Sequence, residues 1–288
     1  MRFGVIDGRA SIIDGGELID VAEASRSLFS HDAAAIWPVW SEFTAWAAGN
    51  AAPAERRPLP PDAEFGAPSP RPAQVLAIGV NYGDHAVEAG MELPAVPMVF
   101  AKFPSCITGA SDPLMVTQPS VDWEAELVVV IGADCRDVAA ADAWGVVAGL
   151  TVGQDISDRD LQFAASPPQF GLGKSRRGYG PTGPWLVTVD EFADPDDLAI
   201  SCTLNGQTVQ GSRTGELVHT VPSLIAYLSG IVELRAGDLI FTGTPSGVGF
   251  SRTSPLYLAA GDVLVTSIEG IGDLRTRIVG GPEMGATV

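Results

Sequence analysis

Two carboxylates two positions apart, in "VDWEAELVVVIG" (121–132), are the residues whose types and spacing speak first of chemistry. In an extended chain, residues i and i+2 share a face with Cα atoms roughly 6.6 Å apart. Glu124 and Glu126 can therefore converge on one hard cation, which prefers oxygen ligands. Trp123, Ala125, Leu127, Val129 and Ile131 fall on the opposite face, while Val128 and Val130 share the face of the glutamates. Burying two like charges in so apolar a strand without a partner is costly. Either the strand end faces water there, which is the ordinary reading of the pair by itself, or something positive sits beside it.

A third oxygen ligand comes from "GLTVGQDISDRDLQ" (149–162), read as a strand ending near Asp155, a turn and a helix start. Ser157 followed by Asp160 has the form of a capping box with Asp in place of Glu. Asp158 and Asp160 then serve the helix N-terminus. Asp155 has no such task, and a carboxylate at a strand end before a loop is a natural site residue. Gln162 rides on the departing helix. In "GVNYGDHAVEAG" (79–90), His85 and Glu88 stand three apart. On one helical face they form a base with an orienting carboxylate, although an exposed pair has the same spacing. Of three histidines (His31, His85, His219), His85 is the best candidate base. "FGLGKSRRGYGPTGPW" (170–185) is not a phosphate loop, because Pro168 stands where GxxxxGK[ST] requires glycine. "TGTPSGVG" (242–249) is either a tight β-turn or a place where backbone N–H groups and the Thr244 hydroxyl meet a carboxylate. Lys102 and Lys174 are the only lysines among 17 basic residues, which singles both out.

The elements that must hold these groups are mostly strands. Residues 1–70 read as a small N-terminal domain with a Pro-rich connector. "RFGVID" and "ELIDVAEA" are short strands around a "DGG" turn, "DAAAIWPVWSEFTAWAA" is partly helical despite Pro38, and "AAPAERRPLPPDAEFGAPSPRPA" wraps the surface. Residues 71–288 read as a second, larger domain that carries these groups and is expected to be catalytic. Its helices are few: after Asn81, around 158–163, and in "TVPSLIAYLSG". "RAGDLIFTG" and "AAGDVLVTS" echo one another as two similar turns that each launch a strand. The net charge of −18 opposes nucleic-acid binding and suits a cation site. No apolar run reaches the ~20 residues of a membrane helix. The start lacks a secretory h-region, and Cys106, Cys135 and Cys202 contain no CxxC pair. A cytoplasmic protein without disulfides or a structural zinc is expected.

Taken in order, "GVNYGDHAVE", "MVFAKFPSCITGASDPL", "DWEAELVVVIG", "GQDISDRDLQ", "GLGKS", "GPTGPWLVT", "LNGQTVQ", "LIFTGTPSGVG" and "GDVLVTSIEGIG" resemble the fumarylacetoacetate hydrolase family over roughly residues 74–279, with an N-terminal segment of the bacterial two-domain type. The resemblance implies a β-rich α+β fold of layered mixed sheets with few short helices, and a homodimer. It implies magnesium, with manganese or calcium as substitutes, held by Glu124, Glu126 and Asp155. His85 and Glu88 become a water-activating dyad, Lys174 and Gln162 catalytic partners, and Tyr82, Lys102 and Thr244 substrate-binding residues. After GKS many relatives carry Phe and a small or acidic residue, whereas this chain has Arg176 and Arg177, which border the site or point to solvent. The expected reaction is metal-dependent hydrolysis of a C–C bond in a β-diketo acid of acylpyruvate, fumarylpyruvate or fumarylacetoacetate type. Decarboxylation or isomerisation of an oxaloacetate-like 2-oxo acid at the same site is the alternative. A metal-binding recognition module without turnover is the alternative of another class, and the base, lysine and glutamine together argue against it.

Overall fold

The computed structural model describes residues 1–50 and 55–281, so part of the Pro-rich connector lies outside the described residues. The architecture is β-rich α+β: a 12-stranded mixed sheet, a five-stranded sheet packed beside it, and short helices at their margins. Strand Ala125–Ile131 lies inside the large sheet and is buried along its whole length. It pairs antiparallel with Val147–Gln154 on one side and with Leu239–Phe241 on the other. Its two faces feed two cores. Trp123, Ala125, Leu127, Val129 and Ile131 join the core shared with the five-stranded sheet, which includes Ile200, Leu264 and Leu274. Val128 and Val130 join Phe3, Trp37, Trp40 and Phe43 on the opposite side. From Leu127 to Ile131 every residue is apolar, as a strand sandwiched on both faces requires, and Glu126 is the one charged residue in it.

The N-terminal strands do not form a sheet of their own. Arg2–Ile6 pairs with Gly180–Val187, so Arg2–Ile6, Arg9–Asp14 and Glu17–Asp20 extend the large sheet. "ELIDVAEA" is a strand only as far as Asp20. The Asp20 carboxylate then accepts from Glu23 N and starts the helical turn Val21–Ala24, a cap overriding the strand pattern. The helical reading around Pro38 holds as short 3₁₀ turns leading into Trp40–Asn50. Phe65–Gly66, in the described part of the connector, pairs with the first strand.

The two AGD turns are alike and each launches a strand, Leu239–Phe241 and Val263–Ile268. Gly237 and Gly261 take φ of +89° and +97°. Asp238 accepts from Arg235 N at 2.9 Å and Asp262 from Ala259 N at 2.8 Å, closing both turns three residues back. Cys106, Cys135 and Cys202 are free thiols. No helix among the described residues is long and apolar enough to cross a membrane.

Candidate active site and metal centre

Strand pairing brings the carboxylates together. Beyond the ladder between Ala125–Ile131 and Val147–Gln154, Asp155 N donates to Glu124 O at 2.9 Å, so the residue before one strand and the residue after its partner are neighbours. One oxygen each from Glu124, Glu126 and Asp155 lies within 4.8 Å of the others, and all three side chains are buried. The positive groups that such burial demands are present. Lys174 Nζ lies 2.5 Å from Glu124 Oε2 and 2.6 Å from Asp155 Oδ2. Lys102 Nζ lies 2.6 Å from Asp155 Oδ1 and also donates to the carbonyls of Lys174 and Tyr179. Arg159 Nη2 lies 2.8 Å from Glu124 Oε1 and 2.7 Å from Asp122 Oδ2.

The cluster carries more negative than positive charge. Among the described residues, the ion-pair partners of Asp122, Glu124 and Asp155 are Lys102, Arg159 and Lys174, three formal positive charges against the four carboxylates that include Glu126. Burial alone would raise the Glu124 carboxyl, but Lys174 and Arg159 outweigh it and hold the group down at about 2. Glu126 makes no ion pair among the described residues, and the more distant charge of Lys174 does not outweigh its burial. Burial, then the charges of Asp155 and Glu124, push it well above the usual carboxylate range, with the Gly243 amide donating to it at 2.8 Å. Lys174 is raised above its ordinary value: burial disfavours its charge, but Asp155 and Glu124 more than restore it. An all-oxygen set whose neighbouring cations leave the charge of Glu126 uncompensated fits a hard divalent ion.

The second group sits on helix Gly83–Ala89, which Gly90 ends with φ +65°. His85 Nδ1 is 3.3 Å from Glu88 Oε2. The Gly247 amide lies 3.0 and 3.1 Å from the two Glu88 oxygens, fixing the carboxylate that orients the imidazole. Burial pushes Glu88 up, but hydrogen bonds led by that from His85 bring it below the ordinary value. Only glycine suits position 247, since its φ is +107° and a Cβ there would lie 2.0 Å from Val209 O. Ser246 Oγ donates to Asp84 Oδ2 at 2.6 Å and ties the glycine-rich turn to the helix.

His85, Glu124, Glu126, Arg159, Gln162, Lys174 and Thr244 line one cavity of about 50 Å³, walled by Phe100, Phe163, Phe170 and Phe250. Larger clefts, of about 570 and 600 Å³, lie elsewhere and contain neither the carboxylate cluster nor His85. Gln162 Oε1 accepts from Arg159 Nη1 at 2.8 Å. The Thr244 hydroxyl donates to Ala125 O and accepts from Gln210. Tyr82 is fully buried outside the cavity lining, and its hydroxyl has no partner among the described residues. Lys102 ends strand Met98–Lys102 and stands behind Asp155, outside the cavity lining, so it is not placed to bind a substrate there.

Ser157 does not cap the helix. Asp158 does, accepting from Leu161 N at 3.1 Å, while Ser157 Oγ donates to Asp155 O at 3.0 Å. Arg176 is held by Asp158 at 2.8 Å and Arg177 is exposed, and neither lines the cavity. Four site residues escaped the sequence reading: Asp122, Gln154, Arg159 and Gln210. Asp122 had a signal, since strand alternation puts it on the face of Glu124 and Glu126. Arg159, three before Gln162 on the short helix Arg159–Gln162, had another.

The sequence model described as fumarylacetoacetate (FAA) hydrolase C-terminal matches residues 74–279. The rat protein named oxaloacetate tautomerase Fahd2a, mitochondrial, is 41% identical over 240 residues, covering 82% of this chain and 76% of that one. A solved structure from Mycobacterium smegmatis superposes with a TM-score of 0.92 at 47% identity, covering 98% of this chain and 100% of the other. The maleylpyruvate hydrolase from Sphingobium sp. SYK-6, solved in complex with manganese(II) and pyruvate, superposes with a TM-score of 0.82 at 27% identity, with 98% and 100% coverage.

Proposed function

Because this chain belongs to the fumarylacetoacetate hydrolase family, we propose that it is a divalent-metal-dependent enzyme for a small 2-oxo acid, and that keto–enol interconversion of an oxaloacetate-like dicarboxylate is its reaction. One observation carries the reading: the base His85 and the carboxylates Glu124 and Glu126 face a single cavity of about 50 Å³, which favours a compact substrate. The name of the rat relative supports the same substrate.

Glu124, Glu126 and Asp155 would hold magnesium or manganese, which supplies Lewis acidity toward a 2-oxo carboxylate. His85 takes the proton from the carbon beside the carbonyl and, as imidazolium, returns it to the oxygen, so one C–H bond breaks and one O–H bond forms. Glu88, fixed by the Gly247 amide, stabilises the imidazolium and keeps the other ring nitrogen free for the substrate. Arg159 and Lys174 add positive charge where charge develops on the substrate. The four phenylalanines exclude water, which strengthens each of these interactions.

C–C hydrolysis of a 2,4-dioxo acid is the second reading. The His85–Glu88 dyad, built as base and orienter, favours it, because the same pair can activate water. The Sphingobium neighbour supports it by name and by its bound pyruvate. The test is an assay on EDTA-stripped protein with magnesium or manganese restored. Decay of the oxaloacetate enol absorbance is followed beside pyruvate release from an acylpyruvate. Metal-dependent enol decay is expected. Full activity in excess EDTA would overturn the metal assignment, and acylpyruvate cleavage without enol decay would transfer the assignment to hydrolysis.

A further inference from the structure

Strand Ala125–Ile131 has a long partner on one side and a short one on the other. Leu239–Phe241 pairs with Val128, Val129 and Val130 only, so toward the glutamates that second edge runs out of strand. A buried edge must still satisfy its N–H and C=O groups. Side chains and a turn do so here. Thr242 N and Oγ1 donate to Leu127 O at 3.1 and 2.9 Å. Thr244 Oγ1 donates to Ala125 O at 2.9 Å. Gln210 Oε1 accepts from Ala125 N at 3.0 Å, and Gln210 Nε2 donates to Thr244 Oγ1 and to Pro245 O, both at 2.8 Å. A backbone carbonyl can only accept, so Pro245 O fixes the orientation of the glutamine amide.

Ala125 is the residue between Glu124 and Glu126. Both of its backbone groups are thus held from the second sheet, one by Gln210 directly and one through Thr244. The preceding amide, Glu124 N, is held by Gln154 Oε1 at 2.9 Å. Gln210 is the only buried position in strand Gln207–Arg213 of the five-stranded sheet. Packing alone would put an apolar side chain in such a place, whereas the glutamine makes three hydrogen bonds and, with that from Thr244 to Ala125 O, closes a network of four.

We propose that Gln210 is a positioning residue of the metal centre: with Thr244 it clamps the Ala125 peptide groups and so sets the angle at which Glu124 and Glu126 converge. The inference rests on the reading of that site as a metal centre. Partners outside the ligand set typically tune metal affinity by about 10–100-fold. Gln210→Met keeps the length and loses all three hydrogen bonds. Thr244→Val loses the hydroxyl, whereas Thr244→Ser keeps it.

The experiment is manganese titration calorimetry on EDTA-stripped full-length protein, at a temperature well below each variant's measured unfolding midpoint. Gln210→Met and Thr244→Val are expected to weaken Kd by about 10–100-fold and Thr244→Ser to retain the wild-type value. A merely structural role lowers the unfolding midpoint and leaves Kd unchanged. Wild-type Kd in folded Gln210→Met overturns the inference alone. If Gln210→Met does not fold, Thr244→Val decides in the same way. A wild-type chain that takes up no manganese overturns both the metal reading and this inference.

Discussion

Replacing Lys174 with methionine removes the ammonium that lies 2.5 Å from Glu124 and 2.6 Å from Asp155 while keeping the shape of its stem. The cluster then holds four carboxylates against Lys102 and Arg159. Stripping one partner from a buried pair costs about 3–5 kcal/mol, because the remaining charge is desolvated and uncompensated. For a chain of 288 residues the unfolding entropy is roughly 0.6 kcal/mol per kelvin, so the midpoint in EDTA should fall by about 5–8 °C. Adding manganese should raise the midpoint of the variant by more than it raises the wild type, since the lysine no longer competes for the same two oxygens. At a free concentration 100 times Kd the metal contributes about 2.7 kcal/mol, enough to recover a large part of the loss. Differential scanning calorimetry in EDTA and in manganese reads both effects. A variant that melts within a degree of wild type in EDTA would refute the reasoning, for Lys174 would not then be neutralising the cluster.

His85→Ala should lower turnover by about 10²–10⁴-fold, with Glu88→Gln milder, while the manganese Kd measured by calorimetry stays at the wild-type value. Asp20 is buried, which raises its carboxyl, but the hydrogen bonds from Arg9 and from Glu23 N outweigh burial and hold it below its ordinary value. Its stabilising contribution is therefore present above the unfolded value near ~3.9 and lost as pH falls through the lower folded value. Asp20→Asn keeps the cap but loses the charge facing Arg9, so it should cost about 1 kcal/mol at neutral pH in urea titrations, and the two midpoints should draw together in that acid window. The chain is expected to sediment as a dimer, given the exposed Val87, Leu93, Val96, Phe103 and Leu172 on segments that border the candidate site cavity, and a mass of 29.9 kDa at micromolar concentration would refute this.

Much of the site was legible because it depends on local periodicity. Alternation put Glu124 and Glu126 on one face, the end of a strand singled out Asp155, and helical spacing paired His85 with Glu88. What escaped depends on contacts that no local pattern records. Gln210 meets Ala125 across 85 positions, and Gln154 meets Thr266 across 112. Arg159 is buried only because Asp122 and Glu124 receive it, and the guanidinium then stacks 4.3 Å from the Phe250 ring. Ser157 shows how a local rule loses to a distant one. Its sequence has the form of a capping box, yet Ser157–Asp158 pairs with Val121–Asp122, and that bridge moves the cap one residue on, to Asp158.

The way the first strands join the large sheet bears on how the polypeptide can be divided. A fragment starting at residue 74 would keep every residue proposed above for the site. It would also leave the Arg2–Ile6 side of Gly180–Val187 without its partner and strip Phe3, Trp37, Trp40 and Phe43 from Val128, Val130, Leu186 and Phe241. An unpaired edge beside an uncovered apolar face is a template for intermolecular strand addition. Such a fragment should collect in inclusion bodies, and supplying residues 1–73 as a separate chain should return it to solution.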